Sequence, residues 1–165
     1  MRPGRIFRHL LTPRWWSHRP FGRATLDAIE QAIHAAESGH RGELRFVIEG
    51  PMPWQALWRG EMARSRAIRL FSDLRVWDTE HNSGILIYLQ LVDHHLEILA
   101  DRGIAARVPQ MQWDAICRAM EDEFSRGRFH EGALAAVAQA AELLRTHFPA
   151  QDRGDNELPD RPVVL

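Results

Sequence analysis

Residues 84–100 read Gly84-Ile-Leu-Ile-Tyr-Leu-Gln-Leu91, then Val92-Asp93-His94-His95, then Leu96-Glu-Ile-Leu-Ala100. Ile85 to Leu89 is an unbroken apolar run, the pattern of a central strand covered on both faces. The four residues after Leu91 make a tight connection, so a second strand, Leu96–Ala100, returns antiparallel. A third strand lies upstream over Glu43–Glu49, with Leu44, Phe46 and Ile48 on one face and Arg45 and Glu49 on the other. Gly50-Pro51-Met52-Pro53 ends it.

Helices surround these strands. Leu26, Ile29, Ile33 and Ala36 recur at helical spacing over Thr25–Ser38, with Thr25 as a plausible N-cap and Gly39 as a stop. A second helix starts at Pro53 or Glu61 and runs to Leu74, with Ala67, Ile68, Phe71 and Leu74 as its buried stripe; Trp54, Leu57 and Trp58 add a turn before it. Two more span Pro109–Arg126, with Cys117 as an inert core thiol, and Phe129–Phe148. The order α-β-α-β-β-α-α makes the second helix a crossover between two parallel strands. A three-layer α/β/α sandwich around a small mixed sheet follows.

Composition narrows the function. The chain has 165 residues, 45% hydrophobic and 26% charged, enough for one core. Net charge is −1, which gives no reason to expect nucleic-acid binding. All 21 basic residues are arginines, so lysine Schiff-base and P-loop chemistry are excluded. Cys117 is the single cysteine, which rules out an intrachain disulfide or a cysteine cluster and fits a reducing compartment. No apolar run is long enough to span a bilayer, and Arg8 and His9 interrupt any signal-peptide core. The expected location is cytoplasmic, with a peripheral place at the inner membrane open.

The organisation reads as a basic arm over residues 1–23, a domain over 24–149 and a flexible tail over 150–165. The arm carries Arg2, Arg5, Arg8, Arg14, Arg19 and Arg23, with Leu10, Leu11, Trp15 and Trp16 between them. It suits an anionic membrane surface or a membrane-associated protein partner; a packed or frayed arm is the plainer reading. The tail, polar and rich in Pro and Gly before Val163-Val164-Leu165, is expected to be largely disordered.

The hairpin brings three segments to one sheet edge: His40-Arg41-Gly42, Asp78–Gly84 and Asp101-Arg102-Gly103. Asp78, Glu80, Asn82 and Asp101 offer oxygen ligands that suit Ca²⁺ or Mg²⁺. His81 can move a proton, and Arg102 can hold a phosphate. The same residue types also build ordinary turns, so both readings stand. His94-His95 reads as a solvated turn, and Trp77 as a core anchor.

Arg64–Ile104, RSRAIRLFSDLRVWDTEHNSGILIYLQLVDHHLEILADRGI, resembles the TPM domain family, which includes thylakoid acid phosphatase and photosystem II repair proteins. The Asn82-Ser83-Gly84 turn carries the likeness, with Trp113 to Ile116, Phe124 to Phe129 and Gly132 extending it over about residues 24–149. Trp77 to Asn82 is similar to a short bacterial branch without a membrane anchor. The resemblance implies an α/β/α sandwich, an acid phosphatase activity and, in some members, calcium at acidic loops. Three departures stand out: Gly22-Arg23-Ala24 replaces an acid common before the first helix, Gln110, Gln112 and Asp114 are the nearest candidates for an acid common after the hairpin, and His81 replaces the usual Asp before Asn-x-Gly. A non-catalytic interaction module with a divalent-metal site is therefore favoured over the alternative, a metal-assisted acid phosphatase.

Overall fold

The computed structural model describes residues 3–13, 15, 19–150 and 156–165. Arg2, Arg14 and Trp16 of the basic arm lie outside the described residues. The described elements are α1 (Pro3–Leu11), α2 (Arg23–Glu37), β1 (Glu43–Glu49), α3 (Trp54–Trp58), α4 (Ala63–Asp73), β2 (Gly84–Gln90), β3 (His95–Ala100), α5 (Arg102–Ala105), α6 (Gln110–Ser125), α7 (Phe129–His147) and β4 (Val163–Val164).

The sheet has the order β3-β2-β1-β4. β1 runs parallel to β2 in the register Glu43↔Gly84 to Glu49↔Gln90, and β2 pairs antiparallel with β3. The expected mixed sheet and three layers are present. On one face, Leu44, Phe46, Ile48, Ile85, Ile87 and Leu89 pack under α2, α6 and α7, around the fully buried Trp113. On the other, Val47, Leu86, Tyr88 and Leu99 meet Ala63, Ala67 and Leu70 of α4. Helices cover both faces because β2 is apolar on both.

Several expectations are corrected. The tail is not loose between 156 and 165: β4 pairs parallel with β1 through Val47↔Val163 and Ile48↔Val164, and Leu158 is buried in the α4-side core. The free edge of β1 and the apolar end Val163–Leu165 satisfy each other, which composition alone does not register. β1 is consequently buried along its whole length, Arg45 and Glu49 included. Glu49, 1% exposed, takes Arg66 Nη2 at 2.6 Å and the Tyr88 hydroxyl at 2.6 Å. Burial raises the Tyr88 pKa and opposes the Arg66 charge, while Glu49 raises both, so each group ends above its ordinary value.

The second helix divides into α3 and α4, interrupted at Gly60, whose φ is 68°. Ile68 is 54% exposed, so the buried stripe of α4 runs through Ala63, Ala67 and Leu70 instead. Trp77 is exposed and does not anchor the core. Gly22, not Thr25, occupies the N-cap of α2. The Cys117 thiol is pushed up to about 12 by burial, as befits an inert core thiol.

Candidate functional site

The three segments at the start of β1 and β2 do meet. Ser83 Oγ donates to the Arg41 carbonyl at 2.9 Å, and Glu43 N donates to the Ser83 carbonyl. Asp101 N donates to the Gly84 carbonyl, and Gly103 N to that of Asn82. The close approach explains two glycines. A Cβ at Gly84 would lie 1.8 Å from the Val76 oxygen, and one at Gly103 would lie 2.6 Å from the Asn82 oxygen. Asn82 itself sits at φ 50°, which short polar side chains tolerate.

The candidate side chains have divided roles. Asp101 caps α5, accepting from Arg102 N at 2.7 Å, while its buried Oδ2 has no partner. Arg102 Nε donates to Asn82 Oδ1 at 2.9 Å. Asp78, Glu80 and His81 are exposed, and His81 lies 3.9 Å from Glu80. The Glu80 amide donates to the Glu157 carboxylate at 3.0 Å. The donor oxygens do not form a cage: a guanidinium already holds Asn82, and Asp78, Glu80 and Asp101 are not a convergent group. His40 is 4% exposed with both ring nitrogens unpartnered, and burial lowers it to about 4.

The tail supplies this edge with acids that the sequence pattern did not group there. Glu43 accepts the Glu157 and Leu158 amides, yet burial pushes it up to about 7. Glu37, at the end of α2, is pushed up to about 8 by burial and then by the facing Asp160 carboxyl. His34, one turn earlier, places Nδ1 2.9 Å from Asp160. The i, i+3 spacing of His34 and Glu37 was readable; their meeting with Asp160 was not.

The opposite end of the strands is basic and aromatic. α1 is clipped there by its polar face. Arg5 Nε donates to Asp93 Oδ2 at 2.8 Å, and the Met52 amide donates to His9 Nδ1 at 3.0 Å, leaving His9 Nε2 3.2 Å from Asp93. Burial opposes the Asp93 charge, but His9 and Arg5 hold its carboxyl well below the usual range. At 100° per residue, Phe7, Leu10 and Leu11 fall opposite Arg5 and His9. They are 64%, 63% and 78% exposed. Between α1 and α3 lies a cleft of about 710 Å³ lined by Arg5, Arg8, Arg59, Arg64, Leu57 and Trp58, with Asp93 and Glu97 among the arginines. Trp54 and Trp58 are exposed beside it.

The sandwich is that of a mixed α/β class, and the chain belongs to the TPM domain family, whose pattern matches residues 20–143. It is similar to the BA42 protein of the psychrophilic bacterium Bizionia argentinensis, solved by NMR. The two are 27% identical with a TM-score of 0.76, over 86% of this chain and 93% of that one. No curated protein matches the chain. Among the described residues no helix is long and apolar enough to cross a membrane.

Proposed function

We propose that this TPM-domain protein is a non-catalytic interaction module that docks on an anionic membrane surface through α1 and the neighbouring tryptophans. One observation carries the reading: α1 turns its polar face inward onto Asp93 and Met52 and its apolar face outward. A helix held only for stability would do the reverse. Outward Phe7, Leu10 and Leu11 suit the acyl boundary, tryptophans suit the interface, and Arg8 and Arg59 suit anionic headgroups. The enzyme reading has weaker support, because the acids at the Asn82 turn do not converge on a common point.

Co-sedimentation with vesicles tests this. The protein should bind phosphatidylserine-containing vesicles, bind neutral phosphatidylcholine vesicles poorly, and release as salt rises. The double variant Leu10→Glu, Leu11→Glu should lose binding at least tenfold with an unchanged Tm, because both side chains are exposed. Equal binding by that variant, or no binding by the parent protein, would refute the proposal. Turnover of a phosphomonoester between pH 4 and 8 with Ca²⁺, Mg²⁺ or Mn²⁺, lost in Asp101→Ala, would restore the enzyme reading.

A further inference from the structure

At the acidic end, the C-terminal segment crosses the last turn of α2. His34 and Glu37 come from the helix, and Asp160 comes from the segment, 126 residues away from His34. His34 Nδ1 lies 2.9 Å from Asp160 Oδ2 and 3.6 Å from Glu37 Oε2. One donor atom from each of the three lies within 4.8 Å of the others. A tetrahedral ion with bonds of about 2.0–2.2 Å holds its ligands roughly 3.3–3.6 Å apart. The two spacings to His34 Nδ1, 2.9 and 3.6 Å, straddle that value.

We infer that His34, Glu37 and Asp160 form a site for a divalent first-row transition ion that fastens the C-terminal segment to α2. Three features separate it from a chance gathering of surface acids. An imidazole nitrogen is the shared neighbour of both carboxylates, and imidazole selects zinc-like ions over calcium and magnesium. Asn156 steadies both carboxylates, donating to Asp160 Oδ1 at 2.6 Å and to Glu37 Oε2 at 3.3 Å, as outer partners of metal ligands do. Glu37 Oε1 is buried without a hydrogen-bond donor, although its sister oxygen faces the cluster.

Two nearby arginines are engaged elsewhere. Arg161 is drawn to Glu30 at 2.9 Å and Asp27 at 3.6 Å. Arg45 lies close enough to respond to the Asp160 charge, but it donates to the carbonyls of Pro159 and Arg161. An ion would neutralise two facing carboxylates and leave a coordination position open to water. The site is independent of α1 and of the membrane reading, because it lies at the other end of the strands.

The test is a Zn²⁺ titration of the full chain, followed by calorimetry and by a two-dimensional amide spectrum, with Co²⁺ absorption as a second probe. One equivalent should bind, and the shifted amides should be those around 34–37 and 156–161. His34→Gln and Asp160→Asn should each weaken binding at least tenfold while leaving the metal-free spectrum folded. His94→Gln with His95→Gln should leave it unchanged, which separates this site from adventitious binding at the hairpin. Binding that survives both His34→Gln and Asp160→Asn, shifts confined to 93–97, or no binding at 100-fold excess Zn²⁺ would overturn the inference.

Discussion

The two ends of the strands differ in charge, in composition and in how the chain reaches them. At the start of β1 and β2, Glu37, Glu43, Glu80, Glu157 and Asp160 gather around the returning tail. At the far end, Arg5, Arg8, Arg59 and Arg64 frame a cleft with Trp58. A strand of seven residues separates the ends by about 20 Å, about two and a half Debye lengths at physiological salt. At the start of the strands the acids that sequence patterning nominated, Asp78, Glu80 and Asp101, do not meet at one point. The end that carries the docking reading is organised by Asp93, an acid in a hairpin turn.

The comparison rests on a scaffold that should be breakable between the two ends. Glu49→Ala strands the Arg66 guanidinium beneath β1 and removes the Tyr88 partner. Breaking one side of a buried pair costs about 3–5 kcal/mol. Urea unfolding should show that loss, and both ends should loosen together in hydrogen exchange.

Leu158→Ala attacks the acidic end alone. Leu158 is 7% exposed in the α4-side core, and such truncations cost about 2–5 kcal/mol. The amides of β4 should lose protection, while vesicle binding through α1 persists. Loss of that binding would make the two ends one cooperative unit.

Asp93→Asn attacks the basic end alone. It weakens the charge-assisted bond to Arg5, worth about 1.5–3 kcal/mol at most, and the close contact with His9. Proteolysis within α1 should accelerate, and the core should hold.

The pH dependence is a subtler probe. Glu43 titrates near 7 when folded and near 4.5 when unfolded, so the unfolded chain gives up its proton first. Its contribution is present at low pH and is lost as pH rises from 4.5 through 7. Glu37 acts in the same direction up to about 8. His40, lowered to about 4 from 6.5, acts oppositely: the unfolded chain binds the extra proton, so stability rises from pH 4 to 6.5. Tm should therefore decline from pH 6.5 to 8, and Glu43→Gln should reduce that decline by differential scanning calorimetry. A decline of the same size in the variant would remove Glu43 from the account.

Asn82→Ala should have the smallest effect. The left-handed conformation disfavours Ala by about 1–2 kcal/mol, and the Arg102 contact is exposed. A larger loss would mean that the Asn82–Arg102 bond holds the turn against α5.

What the sequence determined by itself was local or strongly patterned. The apolar run Ile85–Leu89 dictated a two-sided strand, and the short Val92–His95 connection dictated its antiparallel return. The parallel pairing of β1 followed because a helix must cross between them. The convergence of the Arg41, Ser83 and Asp101 segments followed from that topology. Tertiary structure decided the rest. Whether Val163–Val164 joins β1, whether Glu43 meets Leu158 across 115 residues, and whether Arg5 reaches Asp93 across 88 depend on contacts with no periodic signature. Their free energy comes from burying edges and pairing charges that exist only once the core is assembled. For the same reason the inward polar face of α1 cannot be read from residues 1–23. Amphipathicity fixes that a helix has two faces, and only the surface it meets chooses which face turns in.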